Sequence, residues 1–155
     1  MHLCKTLLLL VVLVSSLFGD SNASNPPYSY EESGKLSPMV SESRADAMSW
    51  ITLMDQLQYG PTWDEAGPIF KDTITRKQWT AAMNEIRRPL GYASSRKIEK
   101  QHAIKKLNFG TTGDFMKIIY QTNFWGKASA REICILMYTG DVNRGRWQVI
   151  SYTIE

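Results

Sequence analysis

The sequence predicts an α+β domain in which three N-terminal helices pack on one face of a four-stranded antiparallel sheet. Apolar residues between positions 43 and 88 recur at spacings of three and four, which is the helical period. After Gly91 the chain becomes rich in β-branched and aromatic residues. Only short turn segments separate these later runs, and short connections join antiparallel neighbours. Helices followed by a strand meander are typical of the α+β class.

The N-terminal segment has the pattern of an export signal. Lys5 precedes an apolar run from Leu7 to Phe18, which has the length of a signal-peptide core and is too short to span a bilayer comfortably. Ser21 and Ala23 are small residues at the positions that a signal peptidase reads, so we expect cleavage after Ala23. Residues 1–23 are thus predicted to be a signal peptide of an exported protein, periplasmic or extracellular. The alternative is an uncleaved membrane anchor.

The rest of the chain divides into a linker and one domain. Residues 24–42 are rich in Ser, Pro and Glu and predict a flexible linker. Residues 43–155 are enough for a single domain with a core of its own. Cleavage leaves Cys134 as the sole cysteine, which excludes an internal disulfide or a cysteine-rich zinc site. The net charge of +3 is too small to indicate nucleic-acid binding, and no stable membrane span is expected after cleavage.

The first predicted helix begins at Ser43, where Ser-Arg-Ala-Asp resembles a capping box with Asp46 as the partner. Gly60 and Pro61 are expected to end it. Its buried face is predicted from the residues at helical spacing, which are Ala47, Trp50, Ile51, Met54 and Leu57.

The second and third helices are predicted to begin with capping boxes as well. Thr62 and Glu65 fit the first box, which explains the adjacent carboxylates of Asp64 and Glu65 without catalysis, and Pro68 makes this helix short or kinked. Thr75 and Gln78 fit the second box, with Ile74 and Trp79 placed to form a hydrophobic staple. The third helix is expected to bury Trp79, Ala82, Met83 and Ile86 and to end at Arg87, Arg88 and Pro89.

Four strand candidates follow Gly91, and both faces of the resulting sheet are predicted to be apolar. The first strand is mostly polar and basic, as expected of an edge strand guarded by lysines. Strict alternation divides each of the other three strands into two apolar sides. On the second strand the two sides are Phe115, Ile119 and Trp125 against Met116, Ile118, Tyr120 and Phe124. On the third they are Ile133, Ile135 and Met137 against Cys134, Leu136 and Tyr138, and on the fourth Trp147 and Val149 against Ile150, Tyr152 and Ile154.

Three short helices can cover only one of these faces. We therefore expect a partner subunit, a ligand or a membrane to cover the other. The alternative is strong curvature that folds the second face onto itself.

A set of aromatic, charged and turn residues recurs along the domain at the spacing of a known family, and its members are Trp50, Asp55, Tyr59, Trp63, Phe70, Trp79, Pro89, Leu90, Gly91, Ser95, Arg96, Glu132, Trp147, Val149 and Tyr152. Through these residues the chain resembles, over residues 44–154, the small exported bacterial family called domain of unknown function 4019. The resemblance implies no established activity. It does imply a curved sheet in a cone-shaped fold similar to nuclear transport factor two and the cystatins, folds that often enclose an apolar pocket and often dimerise through the sheet.

Two constellations offer candidate chemistry. His102 is the only histidine beyond the predicted leader, and alternation places it on one face with Ile98 and Ile104. As a general base it would need an orienting carboxylate such as Glu132, and the structural alternative is a strand histidine with no catalytic role. Arg96 and Glu132 lie on different strands among apolar neighbours. They are expected to form an ion pair, although an arginine that anchors a ligand would have the same sequence signature.

These observations favour an exported, non-enzymatic domain that binds a small apolar ligand or an envelope protein and associates with itself through its sheet. The alternative is a small pocket enzyme in which His102 or a carboxylate such as Asp55 acts as general base. No catalytic residue, metal ligand or cofactor is predicted. The candidate ligand-binding residues are Trp50, Trp79, Arg96, His102, Tyr120, Glu132 and Tyr152.

Overall fold

A computed structural model describes residues 37–107, 110–140 and 145–155, so the predicted signal peptide and most of the predicted linker lie outside the described residues. The helices are α1 (Pro38–Asp55), α2 (Tyr59–Glu65), α3 (Pro68–Thr73) and α4 (Arg76–Ile86), and a 3-10 turn (Arg88–Leu90) follows. The strands are β1 (Ala93–Lys106), β2 (Thr112–Phe124), β3 (Lys127–Thr139) and β4 (Arg146–Ile154). They form one antiparallel sheet in the order β1-β2-β3-β4, which is the predicted α+β meander.

Helix α1 begins at Pro38, earlier than the predicted start at Ser43. Proline is favoured in the first turn of a helix because its missing N–H is not needed there. The capping box at Ser43 is therefore wrong. The buried hydroxyl of Ser43 donates to the Val40 carbonyl at 3.0 Å, and Asp46 accepts the backbone N–H of Trp147 at 2.9 Å.

The buried face of α1 forms as predicted except at its last position. Ala47, Trp50, Ile51 and Met54 are buried, whereas Leu57 is 46 % exposed. Leu57 lies just after the helix with a φ of 61°, so the chain has already left the helical path that would have turned its side chain inward.

The second predicted helix is two helices, and its capping box at Thr62 and Glu65 is wrong. Thr62 lies inside α2, fully buried, where its hydroxyl donates to the Tyr59 carbonyl at 2.8 Å and accepts from Trp79 Nε1 at 2.9 Å. Glu65 pairs with Arg146 at 3.0 Å instead of with the Thr62 amide. Asp64, at the end of α2 and not at its start, pairs with Arg76 at 2.9 Å.

The capping box of α4 is confirmed. Thr75 accepts the backbone N–H of Gln78, and the Gln78 side chain accepts the backbone N–H of Thr75 at 3.1 Å. Ile74 and Trp79, on either side of this box, are both buried in the main core, as the predicted staple requires.

β-Bulges break the strict alternation that the sequence analysis assumed. A register shift in β3–β4 places Leu136 opposite Val149 but Ile135 opposite Ser151. Trp147, Val149 and Tyr152 consequently pack in one core cluster with the helices, so the prediction that Tyr152 opposes Trp147 is wrong. A second shift between Ile98 and Lys100 moves Ile98 off the face that His102 shares with Ile104.

The second face of the sheet carries a buried cluster of its own. Leu107, Phe115, Ile135 and Ile150 are each at most 8 % exposed, and they pack with Ile69, Ile104 and Met137. Ile69 belongs to α3. The backbone N–H of Gly67, just before α3, donates to the Val149 carbonyl of β4 at 2.8 Å and holds the helix beside the sheet. The expectation that an outside partner must cover this face is therefore wrong for the residues of this cluster, and the alternative of a face closed by the chain itself is the better description.

A few large apolar side chains of the described residues stay exposed, and these are Met48, Leu57, Tyr92, Ile98 and Trp125. Trp125, expected to align with Phe115 on the sheet, lies beyond the end of β2 and is 80 % exposed. Among the described ranges, no helix combines the length and the apolar character needed to cross a membrane.

Candidate functional site

The predicted ion pair between Arg96 and Glu132 forms, and it belongs to a larger charge network. Arg96 Nε lies 2.6 Å from Glu132 Oε2, and Arg96 Nη1 lies 2.8 Å from Asp55 Oδ2. Arg87 Nη2 contacts Asp55 Oδ1 at 2.8 Å. We call Asp55, Arg87, Arg96 and Glu132 the charge network. Its two cations balance its two carboxylates, which is the condition under which buried charges are tolerated.

Glu132 is the most enclosed member of the charge network. It is fully buried and accepts hydrogen bonds from the hydroxyls of Thr122 and Tyr152 in addition to Arg96. Burial, together with the neighbouring Glu132 charge, raises the pKa of Tyr152 well above its usual value. The Tyr152 hydroxyl therefore stays protonated and donates a hydrogen bond to Glu132.

Asp55 joins the two arginines at the more open side of the charge network, where 26 % of its side chain is exposed. Burial would raise the pKa of Asp55, but hydrogen bonds and charge from Arg96 and Arg87 outweigh burial and hold it below the usual value. A carboxylate with a lowered pKa is a weak proton acceptor near neutral pH. This environment does not favour Asp55 as the general base of an enzyme.

Arg87 was not anticipated as a site residue, because a cation at the end of a helix is explained by the helix dipole. It is fully buried, its Nη1 donates to the Gly91 carbonyl at 2.7 Å, and its guanidinium lies 4.3 Å from the centre of the Phe124 ring. Arg87 therefore ties the end of α1, the turn before β1 and the end of β2 to one another. The sequence signal that could have suggested this role is the apolar turn, Pro89-Leu90-Gly91, that follows it.

The predicted aromatic ligand-binding residues are mostly core residues. Trp50, Trp79, Tyr120 and Tyr152 are each at most 4 % exposed. The Trp50 ring centre lies 5.2 Å from that of Tyr152 and 6.1 Å from that of Trp79, and both indole N–H groups are satisfied by Thr62. These contacts explain Trp50, Trp79 and Tyr152 by packing and hydrogen bonding, whereas the buried Tyr120 hydroxyl has no hydrogen-bond partner among the described residues.

His102 is separated from the charge network by the sheet. Its cross-strand partner is Lys117, whereas the cross-strand partner of Glu132 is Tyr120, three positions further along β2. An odd number of positions also puts the two side chains on opposite faces. The suggested pairing of His102 with Glu132 is therefore wrong.

A groove of about 380 Å³ opens between α1 and β4, and of the predicted ligand-binding residues Trp50 contributes to its lining. The apolar residues of its lining are Trp50, Leu53, Trp147 and Val149. The polar residues of its lining are Asp46, Ser49, Glu65, Arg146 and Gln148. We call this feature the α1–β4 groove. Nε1 of Trp147 is buried and has no hydrogen-bond partner in the described part of the chain.

Within the described ranges, no three or more His, Cys, Asp or Glu side chains are grouped so that they could hold a metal ion. Cys134 is buried, and burial raises the pKa of its thiol well above the usual value. A thiol in this environment is a poor nucleophile.

The comparison with protein families is decisive for the class of protein. The family model described as "Protein of unknown function (DUF4019)" matches residues 46–152. The chain belongs to this family. The DUF4019 match includes every member of the charge network and the whole lining of the α1–β4 groove.

Neither the curated proteins nor the solved structures yield a match to this chain. The likeness of this DUF4019 domain to nuclear transport factor two and the cystatins therefore stays a prediction.

Proposed function

We propose that this chain is an exported, non-enzymatic binding domain that holds a small ligand with an apolar part in the α1–β4 groove. The observation that carries the proposal is the groove itself, since a volume of about 380 Å³ lies within the range of roughly 300–1,000 Å³ typical of small-molecule sites. Export is inferred from the predicted leader over residues 1–23.

The lining supports a ligand with both an apolar and a polar part. It combines apolar residues such as Leu53 with the charged and amide groups of Asp46, Arg146 and Gln148, which can orient a ligand.

Binding is favoured over the alternative of a pocket enzyme. The two suggested bases are His102, which lies apart from Glu132, and Asp55, whose pKa is lowered by two arginines. The groove is also favoured over self-association through the sheet, because the apolar cluster on the second face of the sheet is already buried.

Filling the groove tests this proposal. The fluorescent probe 1-anilinonaphthalene-8-sulfonate has an apolar ring system and an anionic group, and we expect it to bind the folded protein. Ser49 lines the groove, so Ser49→Trp places a bulky side chain in the space that the probe would occupy. We expect this variant to bind the probe at least tenfold more weakly in a fluorescence titration.

Met48→Trp is the matched control, because Met48 is exposed on the same helix but does not line the groove. Equal probe binding by the wild type and Ser49→Trp would contradict the proposal. If the proposal holds, native mass spectrometry of the protein isolated from its own cells should also reveal a bound small molecule that is absent from Ser49→Trp.

A further inference from the structure

Two exposed aromatic side chains, Tyr92 and Trp125, form a surface that does not include the groove residues. Tyr92 is 64 % exposed, Trp125 is 80 % exposed, and their ring centres lie 5.9 Å apart in an edge-to-face arrangement. Leu57, 46 % exposed, follows two residues after Asp55, which Arg87 binds. We call Leu57, Tyr92 and Trp125 the apolar end.

One buried cation links the three segments that present these side chains. Arg87 bonds Asp55, two residues before Leu57, and the Gly91 carbonyl, one residue before Tyr92. Its guanidinium covers the Phe124 ring, one residue before Trp125. The Trp125 N–H also donates to the Tyr92 carbonyl at 3.0 Å. The apolar end is therefore held by a buried framework.

The turn that carries Trp125 is closely fitted to the 3-10 turn. The Gly126 N–H donates to the Leu90 carbonyl at 2.9 Å, and a Cβ on Gly126 would lie 2.8 Å from the Pro89 carbonyl oxygen. The glycine thus permits a close backbone contact that fixes where Trp125 projects. Exposed rings on such a rigid support lose little conformational entropy when they bind.

We propose that the apolar end is a docking surface for the interface of an anionic lipid bilayer. Tryptophan and tyrosine favour the headgroup level of membranes, where one part of the ring system is in contact with apolar chains and another with water. Arg88 and Lys127 are exposed beside the two aromatic turns and offer positive charge to anionic headgroups.

A second copy of the chain suits this surface less well. A stable interface buries about 800 Å² on each partner, whereas aromatic side chains bury roughly 150–250 Å² each. Three side chains are too few for a stable dimer, but they suffice for weak membrane contact that a second attachment reinforces.

The chain outside the described residues is long enough to serve as that attachment. Helix α1 has 18 residues, so its first residue lies about 27 Å from the apolar end. Residues 19–37 separate the apolar run of the predicted leader from α1 and could span up to roughly 60 Å when extended. In the alternative in which the leader is an uncleaved membrane anchor, the chain can therefore place the apolar end on the same membrane.

The experiment uses the full chain and a readout that is local to Trp125. The emission of Trp125 is obtained as the difference between the wild type and Trp125→Phe, because the other tryptophans are shared by both proteins. On vesicles of three parts phosphatidylcholine to one part phosphatidylglycerol with brominated acyl chains, we expect this emission to fall by at least half. Its quenching by aqueous acrylamide should fall at least twofold.

Charge reversal and an apolar control complete the test. The double variant Arg88→Glu/Lys127→Glu should reduce the bromolipid quenching of Trp125 at least threefold, whereas Met48→Ser, far along α1, should not change it. Urea denaturation of each variant establishes that it is folded. The proposal is overturned if acrylamide still quenches Trp125 in vesicle-bound protein, or if charge reversal leaves the bromolipid quenching of Trp125 unchanged. It is also overturned if Trp125 becomes protected from acrylamide at high protein concentration without vesicles, because that would indicate binding of a second copy.

Discussion

At the scale of single residues, Glu132 is the position where a small change should have the largest effect. Glu132→Gln keeps the shape of the side chain but removes the charge that balances Arg96. Breaking a buried pair by removing one partner costs about 3–5 kcal/mol, because the remaining charge stays buried. We expect a loss of that order in the free energy of unfolding, measured by urea denaturation at pH 7.

Glu155→Gln is the control for that measurement. Glu155 pairs with Arg131 at 3.2 Å, but both side chains are exposed. Exposed ion pairs contribute less than about 1 kcal/mol. Equal losses in the two variants would mean that the burial of Glu132 has no energetic consequence.

Asp55 should make stability depend on pH in the acid range. Its pKa in the folded protein is lowered by Arg96 and Arg87. A carboxyl group whose pKa is lower in the folded protein than in the unfolded chain stabilises the fold. This stabilisation is fully present above the pKa of the unfolded chain, about 3.9, and is lost as pH falls through the pKa of the folded protein. Asp55→Asn should therefore be less stable than wild type at pH 7, and the difference should shrink below about pH 4. A difference that stays constant from pH 7 to pH 2 would contradict this assignment.

At the scale of elements, local signals were predictable and long-range ones were not. The capping box of Thr75 and Gln78 depends on four consecutive residues, and it forms as predicted. The same pattern at Thr62 fails because Trp79, distant in sequence, uses the Thr62 hydroxyl as its acceptor.

Strand order was predictable for a similar reason, since short turns allow few topologies. The bulges near Ile98 and Val149 carry no sequence signal that alternation can detect, and each bulge changes which face the following residues occupy. Arg96 and Glu132 were predicted because both are charged among apolar neighbours. Arg87 was missed because a helix end explains an arginine equally well.

The turn between α1 and α2 offers a test of strain at the element scale. Leu57 has a left-handed backbone conformation with φ 61°, which costs an L-residue roughly 1–2 kcal/mol and costs glycine almost nothing. Because the side chain of Leu57 is exposed, Leu57→Gly should raise the free energy of unfolding by about 1 kcal/mol. Leu57→Ala keeps the strain and is the control. A less stable Leu57→Gly would show that the leucine side chain stabilises the fold in spite of its exposure.

At the scale of the whole molecule, the buried clusters on the two faces of the sheet decide which surfaces remain for partners. The second face has its own buried cluster, in which Ile69 from α3 packs against strand residues. Two apolar sheet faces in the sequence therefore do not imply an apolar surface on the protein. Two surfaces that remain available within the described residues are the α1–β4 groove and the apolar end, which share no residue.

Cys134 can report whether the domain, with its buried cluster on each face of the sheet, unfolds in a single cooperative step. It is fully buried on β3, and burial raises the pKa of its thiol, so neither access nor thiolate is available in the folded state. In a full chain carrying Cys4→Ser, Cys134 is the only thiol. Labelling of the Cys134 thiol by an aromatic disulfide reagent should therefore require unfolding. The free energy of opening calculated from the labelling rates should equal the free energy of unfolding from urea denaturation.

Thr52→Cys provides the reference rate in that experiment, because Thr52 is exposed on α1 and a thiol there should react immediately. Rapid labelling of Cys134 without denaturant would instead mean that the helices separate from the sheet locally. Such opening would expose the Trp50 side of the core beside the α1–β4 groove. Slow, globally limited labelling is expected, because the charge network and the core that contains Trp50 join α1 to the sheet at several points along the helix.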